Sequence, residues 1–329
     1  MMNKNNQFFI KELVIKTVRE FFYNQSFHEV ITPVLNKAIP LEPNLYSFSM
    51  TWKYMDKSET MYLPTSPEAA LKKMLARGLE KVFSIGQTFR NLEAADVEHN
   101  PEFLMLEWYR ADANYEKIMA DVEEVVKVVW KQVSDYLDLK GDLEYQGETI
   151  NLNSPWKRLS LENLFNQVTD AELEKSQELN EMKTIAKELG YQTNEANWEQ
   201  LFDQVVMDKI EPLLGKQPLF LLDFPAQTSP LCKVQKNKPY LAERFEVYLG
   251  GLEIGNGNNE QTDSDLVKNY FINEEENRLR NNLPSHPIDF EFLEALKIMD
   301  NSGKNYAGIG MGIERLVMIM SNQSQIYSV

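Results

Sequence analysis

The stretch from Lys81 to Asp112 limits the fold more than any other part of the chain. Residues 81–91 and 103–112 each read as strand, and a polar loop, 92–102, joins them. Two strands so connected pair as an antiparallel hairpin, because parallel neighbours need an intervening crossover. The chain is therefore expected to build an antiparallel sheet rather than a doubly wound one.

The flanking sequence supplies helices to cover such a sheet. Phe8, Phe9, Leu13, Val14, Val18, Phe21 and Phe22 recur at helical spacing, so the chain opens with an amphipathic helix ending near Asn24. A short strand over 27–31 stops at Pro33, and strands around 47–54 and 60–63 precede a helix after Pro67. Ile118, Met119, Val122, Val125, Val126, Val129, Trp130 and Val133 mark a core-facing helix over 115–137. Residues 160–215 read as further helices, an insertion expected to carry no chemistry of its own. Strands return at 218–224, 240–249 and 252–256. A charged helix covers 263–281, and a strand, glycine turn and helix occupy 305–321. No repeat or linker divides the 329 residues. The predicted architecture is a single α+β domain over 1–329, an antiparallel sheet flanked by helices with a helical insertion at about 160–215.

The one cysteine, Cys232, and the three histidines, His28, His99 and His286, are too scattered for any zinc-ligand spacing. A reactive site must then rest mainly on carboxylates, arginines and backbone amides. The lone cysteine fits a reducing, cytoplasmic setting. No apolar run has signal-peptide or bilayer-spanning length, so neither export nor membrane embedding is expected. With 34 Lys+Arg against 50 Asp+Glu, the net charge of −16 weighs against non-specific nucleic-acid binding.

Three segments carry candidate chemistry. Alternation over 103–109 places Phe103, Met105, Glu107 and Tyr109 on one face and Leu104, Leu106 and Trp108 on the other. Glu107 among aromatics suits a cation, and Arg90 on the partner strand suits a phosphate or carboxylate, although alternation alone reads Glu107 as facing solvent. In the second segment Gly250-Gly251 forms a two-residue turn, which pairs Leu249 with Leu252, Tyr248 with Glu253 and Glu246 with Gly255. Glu246 and Glu253 then share a face and either hold Mg²⁺ or are neutralised by Arg244 or a nearby lysine. The third, Gly308-Ile309-Gly310-Met311-Gly312-Ile313-Glu314-Arg315, does not fit the dinucleotide fingerprint; it opens a helix with Arg315 in its first turn, suited to phosphate or to close packing.

Together these segments resemble the three signature motifs of class II aminoacyl-tRNA synthetases, in order: a proline-ended strand, an arginine hairpin closing on His99-Asn100-Pro101-Glu102-Phe103, and a Gly-x-Gly-x-Glu-Arg helix. Phe89-Arg90-Asn91, Glu107-Trp108-Tyr109, Ser229 to Lys233, Arg244-Phe245-Glu246 and Glu253 to Gly257 are similar to the lysyl-tRNA synthetase catalytic core. That first motif, 27–35, lies near the start of the sequence, so no N-terminal anticodon-binding domain is expected. A core of this length resembles the elongation factor P lysine/(R)-β-lysine ligase family. Phe21-Phe22, Ala242 to Tyr248 and Leu283-Pro284-Ser285-His286-Pro287-Ile288-Asp289 add to that likeness.

The resemblance implies an ATP- and Mg²⁺-dependent homodimer that activates lysine or β-lysine and transfers it to a lysine of elongation factor P. It implies that Arg90 holds the α-phosphate and the substrate carboxylate, that Phe103 stacks on adenine opposite Arg315, that Arg90 and Arg315 stabilise the charge of the reaction, and that Glu93, His99 and Glu246 also hold ATP. Glu246 and Glu253 would hold the metal; Glu68, Glu107, Tyr109, Asn256, Glu260 and Gly310 would bind the amino acid. Leu92 stands where an acid is expected, Asn258 where an aromatic packs on the lysine chain, and Gly310 where elongation factor P ligases have Ala. Ser26 and Ile31 replace the first motif's usual Gly and Glu. Two alternatives remain open: a stand-alone lysine-type ligase with a small amine or tRNA as acceptor, and a silent paralogue that binds an amino acid and regulates.

Overall fold

The computed structural model describes residues 4–326. Helix α1 (Lys4–Asn24) leads into β1 (His28–Glu29), the hairpin of β2 (Ser49–Tyr54) and β3 (Lys57–Tyr62), and α2 (Glu68–Ala76). The predicted long hairpin forms as β4 (Lys81–Phe89) and β5 (Glu102–Ala111), followed by α3 (Tyr115–Tyr136). A small hairpin of β6 (Leu143–Tyr145) and β7 (Glu148–Ile150), then β8 (Lys157–Ser160), precede α4 (Leu161–Thr169), α5 (Leu179–Glu188), α6 (Trp198–Val205) and α7 (Glu211–Leu214). Next come β9 (Leu219–Leu222), the hairpin of β10 (Arg244–Leu249) and β11 (Leu252–Asn259), α8 (Ser264–Arg280) and α9 (Phe290–Asn301). Strand β12 (Tyr306–Gly312) and helix α10 (Ile313–Met320) follow.

Eight strands form the main sheet in the order β1-β4-β5-β12-β11-β10-β9-β8. Its six central strands are antiparallel, as expected, whereas β1 and β8 join the two edges in parallel. The apolar stripes of α1, α3 and α10 cover one face, burying Phe22, Phe83, Leu106 and Trp108. The other face is covered at its two ends only. Helices α2, α8 and α9 pack at one end around Leu71, Phe271 and Phe292, and the insertion packs at the other around Phe165 and Phe202. The gap between them is the cleft.

Two local expectations change. The glycine run at 308–312 is not a turn but most of β12, held between β5 and β11. Helix α9 was not expected, although Asp289 caps it by accepting the Phe292 amide and its Phe292, Leu293, Leu296 and Met299 are spaced for burial.

Candidate active site

Strand register alone lays most of the site out as a grid. One row across the sheet reads Glu246, Asn256, Gly310, Glu107; the next reads Arg244, Asn258, Gly308, Tyr109. Glu246 and Glu107 lie three strands apart, roughly 14 Å at the backbone, so one carboxylate stands at each end of the trough. Glycines on β12 keep that trough open. At Gly308 a Cβ would come within 2.2 Å of the Tyr109 ring, so glycine is what lets the tyrosine lie across the sheet. At Gly310 a Cβ would meet the flexible Met105 side chain, its sulfur at 3.1 Å.

The β10/β11 register corrects the expected pairing. Tyr248 pairs with Glu253, but a bulge after Val247 shifts the rest, so that Glu246 faces Asn256 and not Gly255. The one extra residue on β11 flips every later side chain to the opposite face. Asn256 and Asn258 therefore line the cleft, and Gly257 turns toward Phe245 in the core.

The cleft encloses about 550 Å³. It brings together Glu68, Arg90, Glu93, His99, Phe103, Glu107, Tyr109, Glu246, Glu253, Asn256, Gly310 and Arg315. Glu260 is not on its wall; it is 1% exposed and pairs with the buried Lys72. Glu107 is 3% exposed, so the solvent-facing reading fails: α2, with Glu68 and Lys72, and the loop carrying Glu42 stand over that part of the strand. One Glu107 oxygen accepts from the Tyr109 hydroxyl and the other, Oε2, has no partner. Burial, then the Glu68 charge, push the Glu107 carboxyl well above its usual range.

At the opposite end Glu246 accepts from Arg244 Nη2 at 2.8 Å and from the Tyr248 hydroxyl at 3.1 Å. Burial and the neighbouring Glu253 raise its carboxyl to about 8. Arg244 therefore neutralises the pair only in part, and a cation between the two carboxylates would suit them. Among the described residues no cluster of three or more possible metal ligands occurs, so a Mg²⁺ held by Glu246 and Glu253 would complete its shell with phosphate and water oxygens. The sign of the pH effect follows. Unfolded, this carboxyl ionises near 4.5, so from there to about 8 the folded protein holds the extra proton and stability falls as pH rises. Thermal midpoints of the metal-free protein should drop between pH 5 and 8, and Glu246→Gln should remove roughly 3–5 °C of that drop. An unchanged slope in the variant would contradict the assignment.

The two arginines differ in their freedom. Arg315, in the first turn of α10, donates to the Glu253 carbonyl at 2.6 Å and contacts His99 Nε2 at 2.7 Å, while His99 Nδ1 meets Asp96 at 2.9 Å. Arg90 lies 5.2 Å over the Phe103 ring with its Nε unpartnered, and its nearest carboxylate, Glu93, is 3.9 Å away.

Two groups of residues were missed. The insertion, expected to carry no chemistry of its own, contributes Glu199, Phe202, Asp203 and Glu211 to the cleft wall. Burial raises Glu199 to about 7 and Asp203 to about 6. Glu42, raised to about 7 chiefly by burial, enters from the loop after β1, whose Glu42 and Leu45 carbonyls are gripped by the buried Arg278.

An antiparallel sheet with one face open between helices, two arginines above it and a glycine strand through its centre defines a class II synthetase-type catalytic core. The family model for tRNA synthetases class II (D, K and N) matches residues 2–329, and the chain belongs to that family. It is 34% identical over 324 residues to a lysine–tRNA ligase of Carboxydothermus hydrogenoformans, covering 98% of this chain and 64% of that protein. It is also 33% identical to the enzyme of that name from Saccharolobus solfataricus, covering 97% and 63%. With that of Buchnera aphidicola identity is 32%, covering 99% and 63%. The chain thus spans under two thirds of the length of these relatives. No helix among the described residues is long and apolar enough to cross a membrane.

Proposed function

We propose that this chain is an AMP-forming ligase that activates lysine, or its β-isomer, with ATP and Mg²⁺ and passes the acyl group to a lysine side chain of elongation factor P. The observation that carries the amino-acid assignment is Glu107: a buried carboxylate with one free oxygen, beside Tyr109, at the end of a trough, is built to receive an ammonium. Glu68, at the first turn of α2, faces the same end and suits the α-amino group, and Asn256 suits the carboxylate.

In the first half-reaction a substrate carboxylate oxygen attacks the α-phosphorus in line, the bond to the bridging oxygen breaks, and pyrophosphate leaves. Arg90 and Arg315 neutralise the charge that develops, so no general base is needed for a carboxylate already ionised. Glu246 and Glu253 would hold the metal, which neutralises phosphate charge when bound. In the second half-reaction the neutral acceptor amine attacks the acyl carbonyl, the bond from that carbon to the phosphate oxygen breaks to release AMP, and the proton lost by the new amide nitrogen passes to water. Glu199 and Asp203 on the wall favour a cationic amine over an RNA end as that acceptor, since acids repel backbone phosphates.

The acceptor rests on the likeness at Ala242 to Tyr248 and Leu283 to Asp289. Asn258, smaller than the aromatic of the resembling enzymes and facing the cleft, favours a second reading, a ligase serving a small amine. Ile31, 96% exposed, with Val34, Leu35 and the α1 residues Phe8 and Tyr23, offers an apolar surface consistent with a homodimer.

Lysine- or β-lysine-dependent ATP–pyrophosphate exchange by protein sedimenting as a dimer tests the core of the proposal. Exchange with no diamino acid would sink it. Labelled lysine offered with elongation factor P, tRNA and small amines then shows the acceptor: label in the factor supports the proposal, and label elsewhere replaces that acceptor.

A further inference from the structure

One buried cation beside the site has no role in the reaction just described. Lys72 follows Glu68 by one turn of α2 and is fully buried. Its ammonium pairs with both Glu68 and Glu260. It also lies 5.7 Å from the Tyr109 ring centroid and 5.6 Å from that of Phe292. Two carboxylates and two ring faces are the surroundings that recognise an amine ligand, here filled by the chain's own side chain. The cleft reaches Glu68, Glu107 and Tyr109, whereas Lys72 and Glu260 lie behind its wall.

We infer that Lys72 is a positioning residue for amino-acid recognition: its ammonium fixes Glu68 toward the substrate α-amino group and engages Glu260, leaving Glu107 to read the distal amine. The inference rests on the lysine-activation reading and deepens it. Four carboxylates, Glu42, Glu68, Glu107 and Glu260, converge on this end, where burial chiefly, with the Glu68 charge adding to it, raises the carboxyls of Glu42, Glu107 and Glu260. One fixed internal cation, paired with Glu68, keeps that side chain aimed before the substrate arrives. Without it Glu68 is free to turn toward other partners, and affinity for the amino acid is lost although the ATP end of the cleft is untouched.

The buried triad also contributes to the fold, so stability and recognition must be measured separately. A single Lys72→Met leaves two carboxylates without their cation, whereas Lys72→Met/Glu260→Gln removes a charge of each sign and should recover the thermal midpoint. The expected result is a KM for lysine raised about 30-fold or more in both variants, with kcat changed less than about threefold and the KM for ATP unaltered. Glu260→Gln alone should raise the lysine KM less than about fivefold, since Glu260 does not face the cleft. Ethylammonium should partly restore lysine affinity to Lys72→Ala by entering the vacated space.

A double variant that recovers both midpoint and lysine KM would reduce Lys72 to a structural pair and overturn the inference. So would a Glu260→Gln loss as large as that of Glu107→Gln. Failure of the underlying reading is distinguishable, because it shows in the unsubstituted protein as absence of exchange with every diamino acid.

Discussion

Glu107→Gln should lower kcat/KM for lysine in pyrophosphate exchange by about a thousandfold while leaving the KM for ATP within about twofold. The size follows from burial. At 3% exposure, water cannot replace the lost charge, and the substrate ammonium would be left facing a neutral amide in a nearly dry corner. The Tyr109 hydroxyl, which donates to Glu107 Oε1, stays in place because Gly308 leaves room for its ring. Norleucine, isosteric but without the amine, supplies the control. A site that pairs a buried group with its substrate rejects the analogue lacking the partner by about 10⁴-fold, and the variant should erase most of that gap. Because burial and Glu68 raise the Glu107 carboxyl well above its usual range, lysine uptake should release a proton, seen as a buffer-dependent binding enthalpy that the variant lacks. Equal exchange with lysine and norleucine in the unsubstituted protein would contradict the pocket.

The parts of this site legible in the sequence are those that depend on strand period alone. The face shared by Phe103, Met105, Glu107 and Tyr109 needed only alternation, and the Gly250-Gly251 turn fixed the first pairs of its hairpin. The bulge beyond Val247 was not legible, since nothing in the run Glu253 to Asn256 marks an extra residue. Yet it decides whether asparagines or glycines face the cleft. Contacts made across long separations were also hidden. The α6 wall residues Glu199 and Asp203 reach the cleft only through packing of the insertion onto the sheet, and α6 by itself reads as an ordinary amphipathic helix, with Trp198, Leu201, Phe202 and Val205 buried. Lys72 was hidden differently: on α2 it sits beside Lys73, which faces the Asp289 cap of α9, and helical position alone does not say which lysine is the buried one.

The second large effect is expected at Arg90. Arg315 is held by the Glu253 carbonyl and His99, so under the proposed reaction replacing it would remove a phosphate-binding group and also release the His99 loop; its loss should fall mainly on the KM for ATP. Arg90 is constrained by little besides the Phe103 ring. Its unpartnered Nε and the 3.9 Å gap to Glu93 leave the fork free for an incoming oxyanion. Such a group does its work when charge grows on the phosphorus oxygens, so Arg90→Ala should lower kcat about a thousandfold, with a smaller change in the KM for ATP. Arg90→Lys should recover little of this, because a point ammonium reproduces neither the bidentate fork nor the stacking on Phe103. Single-turnover exchange separates the two arginines. A kcat for Arg90→Ala within tenfold of the unsubstituted protein would move the charge-stabilising role to Arg315.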